Sequence, residues 1–233
     1  MKDFKTKIDQ EEKIFSPEEK PFGLSYQDYV IAWWKWLISI PKERNPDRDE
    51  TGEKAADDQD PKLPIFFLST GSPDHKVERI CDVPSNKGIL IPLMPVEVSD
   101  KEVKEIERLK IKPPIIEFMR KKAKKDQDGV IKLSLKIDDK EYQMENLRKY
   151  RIKQTDVFDV DFPKNNIYGV KEIGPAKAVA DGYYVICEAL EKGKHTISWY
   201  SEAICKDNEN NIEEPDCIDP NFKQDIKYTI IVK

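Results

Sequence analysis

Apolar positions along the chain follow different periods in different stretches. Residues 1–21 are polar and charged, with Phe4, Ile8, Ile14 and Phe15 as the only anchors, and read as a loosely attached arm. Ser25 and Asp28 then stand at capping-box spacing, with an aspartate where Glu or Gln is usual. They open the run Tyr29 to Ile40, which Pro41 ends. At 100° per residue, Asp28, Ala32, Lys35 and Ser39 share one narrow stripe and nearly every other position is apolar. That pattern predicts a helix buried on most sides. At about 16 residues it is too short to span a bilayer.

Residues 42–62 are rich in charge, with Pro46, Gly52 and Pro61, and predict a surface loop of about 20 residues, a length often tied to function. Short apolar runs follow at 65–69, 77–83 and 88–98, punctuated by Pro64, Gly71, Pro73, Pro84 and Pro92. Pro92 and Pro95 mark the third run as bent or at an edge. Residues 100–125 return to helical spacing, and Pro113-Pro114 divides them into two helices. Ile131, Leu133, Leu135 and Ile137 then alternate with polar residues, and Asp138-Asp139 turns them into a hairpin with 140–144. Further strands are expected at 150–153, 157–162, 176–180, 183–190, 195–201 and 226–232, with turns at Asp181-Gly182 and Lys192-Gly193. About ten short strands predict a mainly β fold. The expected form is an antiparallel β-sandwich, Greek-key or jelly-roll-like, in one domain over 22–233, with a buried Trp-rich helix and a two-helix insert.

Composition narrows the function classes. The chain has 233 residues, with 40 basic against 45 acidic side chains, a net charge of −5. It lacks the basic excess that nucleic-acid binding needs. It also has no apolar run of about 18 residues, so no membrane span is expected. The N-terminus alternates charges without an apolar core segment, so it is not a secretory signal as written, and a cytoplasmic protein is expected. The other reading is an exported chain whose leader is absent. Cys205 and Cys217, twelve apart, could bridge in an oxidising compartment, whereas Cys81 and Cys187 sit in strand-like apolar runs. With no CxxC and only two histidines, no metal site and no cofactor are expected. The loop 207–211 offers oxygen ligands, but Ile212 and Ile218 occupy positions where a calcium loop needs glycine and an acid.

The motifs Gly23-Leu24-Ser25-Tyr26, Trp33-Trp34-Lys35-Trp36, Asn45-Pro46 and Thr51-Gly52 make the chain resemble a family of uncharacterised microbial proteins. Arg79-Ile80-Cys81-Asp82-Val83-Pro84 and Gly193-Lys194-His195-Thr196-Ile197 extend the resemblance over most of 23–232. It implies no activity. It does imply that the 45–59 loop adjoins the tryptophan helix. Other members often carry a leader and a cysteine just after the Thr-Gly pair; here Ala55 and Ala56 stand in that neighbourhood.

Candidate chemistry is sparse. Trp33, Trp34 and Trp36 could offer a platform for a sugar ring. Side chains on one helix fan out at 100°, however, so the three cannot share a flat face and read first as core. Asn45, Asp47, Asp49 and Gln59 in the long loop could bind a polyol or cation. His195 alternates with Ile197 and so faces inward with it, but no nucleophile elbow accompanies it. Two functions are carried forward. The first is a non-catalytic binding or interaction protein for a carbohydrate or a protein ligand, with Trp34, Asn45, Asp47, Asp49, Gln59 and His195 as ligand-binding candidates. The alternative is a hydrolase-like enzyme that pairs the loop carboxylates with His195.

Overall fold

The computed structural model describes residues 14–71, 76–103, 114–206, 215–218 and 220–233. His75, the 207–211 loop, most of the arm and the first helix of the expected insert lie outside the described residues. Helix α1 spans Tyr26–Ser39. Its first turn closes as a capping box: the Asp28 amide donates to Ser25 Oγ at 3.2 Å, and Asp28 Oδ2 accepts from the Ser25 amide at 2.9 Å and hydroxyl at 2.6 Å. Ile40 is extended because Pro41 follows it. Asp28, Lys35 and Ser39 face solvent and Ala32 is half-buried, while all three tryptophans are buried.

The fold is mainly β, in two mixed sheets. One holds β1 (Ile65–Phe67), β3 (Gly88–Ser99) and β8 (Gly174–Cys187) in that order, with β6 (Arg151–Ile152) and β7 (Phe158–Phe162) both on β8. The other runs β2 (Lys76–Val83), β10 (Asn221–Val232), β9 (Gly193–Ile204), β4 (Val130–Ile137), β5 (Lys140–Gln143). The antiparallel expectation holds for most pairs and fails for two: β1 with β3, and β2 with β10, are parallel. Parallel neighbours need a crossover rather than a tight turn. The chain supplies one because β2 joins the other sheet between β1 and β3. A single cluster of buried apolar residues includes α1 and strands of both sheets.

The turn expected at Asp181-Gly182 is absent, because β8 runs straight through it. Gly182 is required for another reason. A Cβ there would stand 2.6 Å from the Met94 carbonyl oxygen and 2.9 Å from Pro95 Cα. Opposite it, the register of β3 slips between Pro92 and Met94. The bend predicted from the two prolines is this bulge. The extra residue, Leu93, turns its carbonyl to the other sheet, where Ser201 Oγ and Gln224 Nε2 donate to it.

The second helix of the expected insert is present as α2, Ile115–Asp128, starting after Pro114. Its Phe118, Met119 and Ala123 pack on Val98 and Val179. The described end of the arm is tied down. Phe15 donates its amide to the Ile186 carbonyl at 3.0 Å, and the Tyr26 hydroxyl donates to the Phe15 carbonyl at 2.6 Å. Among the described residues no helix is long and apolar enough to cross a membrane.

Cys205 and Cys217 form a disulfide, while Cys81 and Cys187 are buried thiols outside it. Burial pushes the Cys81 thiol up to about 12. Thiol titration of the unreduced, denatured protein should therefore reveal only Cys81 and Cys187, and reduction should add the other two. All four reacting without reductant would contradict the bridge.

Candidate functional site

The alternation of β2 turns Val77, Arg79, Cys81 and Val83 inward, so a cation enters the interior. Arg79 is 2% exposed. Its Nε donates to the Asp49 carbonyl at 2.5 Å. Nη1 donates to the Ser69 carbonyl and hydroxyl, both at 3.1 Å, to the Thr70 carbonyl at 2.5 Å and to the Tyr228 hydroxyl at 2.7 Å. Nη2 reaches the Asp47 carbonyl at 3.4 Å. The guanidinium also lies 5.4 Å from the centre of the Tyr228 ring. One buried charge thus fixes the 47–49 and 69–70 segments on the second sheet.

Most of the residues proposed from the sequence have structural duties. Asn45 donates to the carbonyls of Leu37 at 2.7 Å and Ile40 at 3.1 Å, closing the end of α1. Asp49 accepts from the Thr51 amide and hydroxyl and the Lys54 amide at 2.8–2.9 Å. Burial acts to raise its pKa, but those hydrogen bonds and the Arg79 charge hold it below the usual carboxylate value. Gln59 caps β1 by donating to the Phe67 carbonyl at 2.9 Å and accepting from its amide at 3.1 Å. His195 does face inward, but its Nδ1 lies 2.6 Å from Asp138 Oδ2 and its Nε2 2.8 Å from the Glu191 carbonyl. Asp138 Oδ1 also accepts from the Thr196 amide at 2.7 Å, so the group locks the β4–β5 turn to β9. The acid beside His195 is therefore Asp138 rather than a carboxylate of the 45–59 loop.

Trp34 and Asp47 do meet, in the wall of a cavity of about 300 Å³. The tryptophans of α1 diverge as the helix geometry requires. Trp33 donates to the Leu68 carbonyl at 2.7 Å, Trp36 packs on Phe67, and Trp34 donates to the Tyr184 hydroxyl at 2.9 Å. Tyr168 and Phe222 add rings to the wall. Among the described residues four acids line it, Asp47, Glu97, Glu102 and Asp126, against one cation, Arg48. Asp47 accepts from the Thr70 hydroxyl at 2.6 Å, a pairing that Arg79 sets up by holding both backbones. Asp126 accepts from the Ile218 amide at 3.0 Å, so the residue after the Cys205–Cys217 bridge closes one side.

Glu97 is the exceptional member. It is 7% exposed, and no group among the described residues donates a hydrogen bond to either of its oxygens. Its neighbour is the Glu102 carboxyl, which accepts from the Ser99 amide at 2.9 Å and hydroxyl at 2.6 Å. Burial raises the pKa of both, and the charges of Glu102 and Asp100 raise that of Glu97 further. Two adjoining carboxyls hydrogen-bond only if one holds a proton. The Ser99 bonds favour the charged form of Glu102, which leaves the proton on Glu97. Tyr168 has 39% of its surface exposed, while its hydroxyl end is buried near the carboxyls of Glu97, Glu102 and Asp47. Burial first, then the charges of Glu97, Glu102 and Asp47, push its phenol well above the ordinary value, so it stays a donor.

Sequence reasoning missed Glu97, Glu102, Asp126 and Tyr168. Two signals were present. Glu97 is the only charged residue in the apolar run 88–98, and Ser99 with Glu102 has capping-box spacing. Among the described residues no cluster of three or more His, Cys, Asp or Glu side chains could hold a metal ion.

No protein-family model matches this chain, and no curated protein does. Among solved structures it is similar to a chain in the structure of PbICP-C in complex with falcipain-2, at 9% identity. That alignment covers 72% of this chain and 98% of the other with a TM-score of 0.26, a likeness too low to carry an argument.

The Glu97 proton has a consequence for stability. A carboxyl whose folded value is raised favours folding below its unfolded value, and that advantage is lost as pH rises through the folded value. Glu97→Gln keeps the shape and removes the titration. Its melting temperature should match wild type near about pH 4 and exceed it near about pH 8, the unfolded glutamate value being about 4.3. Parallel melting curves across that range would contradict a buried, protonated Glu97.

Proposed function

We propose that the protein is a non-catalytic binding protein for a compact polar ligand of the monosaccharide class, held in the cavity beside Trp34. The observation that carries this reading is the pair of buried Glu97 oxygens left without donors in the wall of a ring-lined cavity. A buried acceptor with no partner costs about 1–3 kcal/mol, and ligand hydroxyls or amines would supply the missing donors. The rings of Trp34, Tyr168 and Phe222 would cover the apolar face of a sugar, while Thr70 and the acids address its polar edge. The cavity's size favours a small molecule over a protein ligand. We read the two sheets as layers of a sandwich, with the cavity where α1 and β3 meet the end of β9 and the start of β10.

The hydrolase reading has less support. His195 is engaged with Asp138 and Glu191. Acid pairs that cleave glycosides stand about 5–5.5 Å or 6.5–9.5 Å apart, whereas Glu97 and Glu102 are close enough to share a proton. The Cys205–Cys217 bridge supports an exported protein over a cytoplasmic one, because disulfides persist in oxidising compartments.

Titrating a panel of monosaccharides, polyols and amino sugars while following tryptophan fluorescence tests the reading. At least one should give a saturable change. Val96→Phe, which adds bulk to the cavity wall, should weaken that ligand by about tenfold or more, equivalent to about 1.4 kcal/mol. A flat response across the panel, or equal affinity in a folded Val96→Phe protein, would remove the cavity from consideration.

A further inference from the structure

We propose that the ligand carries a protonated amine seated against the Glu97–Glu102 carboxyl pair, so that the cavity takes amino sugars and related small amines over neutral counterparts of the same shape. This rests on the ligand-binding reading above and adds the ligand's charge to it.

Three features of the cavity point the same way. The first is hydrogen-bond count. An ammonium brings three donors and no acceptor, and Glu97 offers two buried oxygens to which no group among the described residues donates. The second is charge. Asp47, Glu97, Glu102 and Asp126 line the space. The cations around it are already engaged: Arg48 donates to the Ile167 carbonyl at 3.3 Å and lies 3.9 Å from Asp47, and Lys122 donates to the Asp216 carbonyl at 3.1 Å. A neutral ligand would add nothing to balance the charge of the Glu97–Glu102 pair, whereas a cation compensates it, the more strongly for the burial of Glu97. The third is the ring set. Trp34, Tyr168 and Phe222 present faces and edges around the same volume, which suits a desolvated ammonium better than an anion.

The proton balance follows. Before binding, the carboxyl pair holds one proton and a charge of −1. The ammonium keeps its own protons and takes the place of the shared one, which leaves for solvent, so the pair ends at −2 against the ligand's +1. The groups that face this exchange are Asp100 and Glu102 beyond the end of β3, Lys122 and Asp126 on α2, Asp47 and Arg48 on the long loop, and Tyr168 in the cavity wall. Affinity for an amine therefore rises with pH for as long as the amine remains protonated.

Isothermal titration with matched probes tests this: glucose against glucosamine, and cyclohexanol against cyclohexylamine, each in two buffers of different ionisation enthalpy. The expected result is an amine preference of about tenfold or more at neutral pH, with proton release to the buffer. Glu97→Gln should collapse the preference; if that variant does not fold, by circular dichroism, Glu102→Gln should do the same. Equal binding of each neutral compound and its amine, or a preference that survives both substitutions, overturns the amine inference and leaves the ligand reading standing. No binding by any of the four overturns both.

Discussion

A buried guanidinium hydrogen-bonded, among the described residues, only to neutral acceptors is the constraint from which the site follows. Taking Arg79 out of water is costly, and its attraction to neutral acceptors must offset that cost. Among the described residues those acceptors are carbonyls of Asp47, Asp49, Ser69 and Thr70 and the hydroxyls of Ser69 and Tyr228. They belong to two loops and to β10, so satisfying one side chain fixes three parts of the chain at once. The Asp47–Thr70 hydrogen bond is a product of that fixation. Removing the guanidinium would strand several buried acceptors together, the kind of change that costs far more than one surface contact.

The cavity has the opposite character. The interior cation is satisfied by dipoles, whereas Glu97, an interior acid, has no donor among the described residues. Glu97 reaches this position because β3 is held just before it by features that cannot move easily. The Leu93 carbonyl is bound by Ser201 and Gln224 of the other sheet, and β8 passes so close that Gly182 admits no Cβ. The opposite wall is α1, whose tryptophans are each committed to a different partner. A rigid frame around an unsatisfied group is what a preorganised binding site requires.

How much of this the sequence disclosed depends on the range of the interaction. Helix α1 was legible because its signals are local: Ser25 and Asp28 at its start, Pro41 at its end, and a stripe of four polar or small positions between. The 130–143 hairpin was legible from strict alternation and a two-residue turn. Asp181-Gly182 misled because glycine has two uses. Here it makes room for the Met94 carbonyl of a strand almost ninety positions away in sequence, and no local pattern shows that approach. Parallel pairing was equally hidden, since it depends on β2 leaving one sheet for the other. For the site, Trp34 and Asp47 were named and belong to the cavity, while Asn45, Asp49, Gln59 and His195 are the sort of polar residue that closes helices, turns and strand edges. Glu97 carried a signal, a lone charge in an apolar strand, but its meaning needed the Glu102 carboxyl beside it.

Buried beside Glu102 with no donor among the described residues to stabilise its charge, Glu97 should hold a proton at neutral pH. Infrared difference spectroscopy of wild type against Glu97→Gln at neutral pH measures that directly. The expected result is a carbonyl stretch of a protonated carboxyl group in the wild type that disappears in the variant. A difference spectrum containing only the bands of an ionised carboxylate would contradict it.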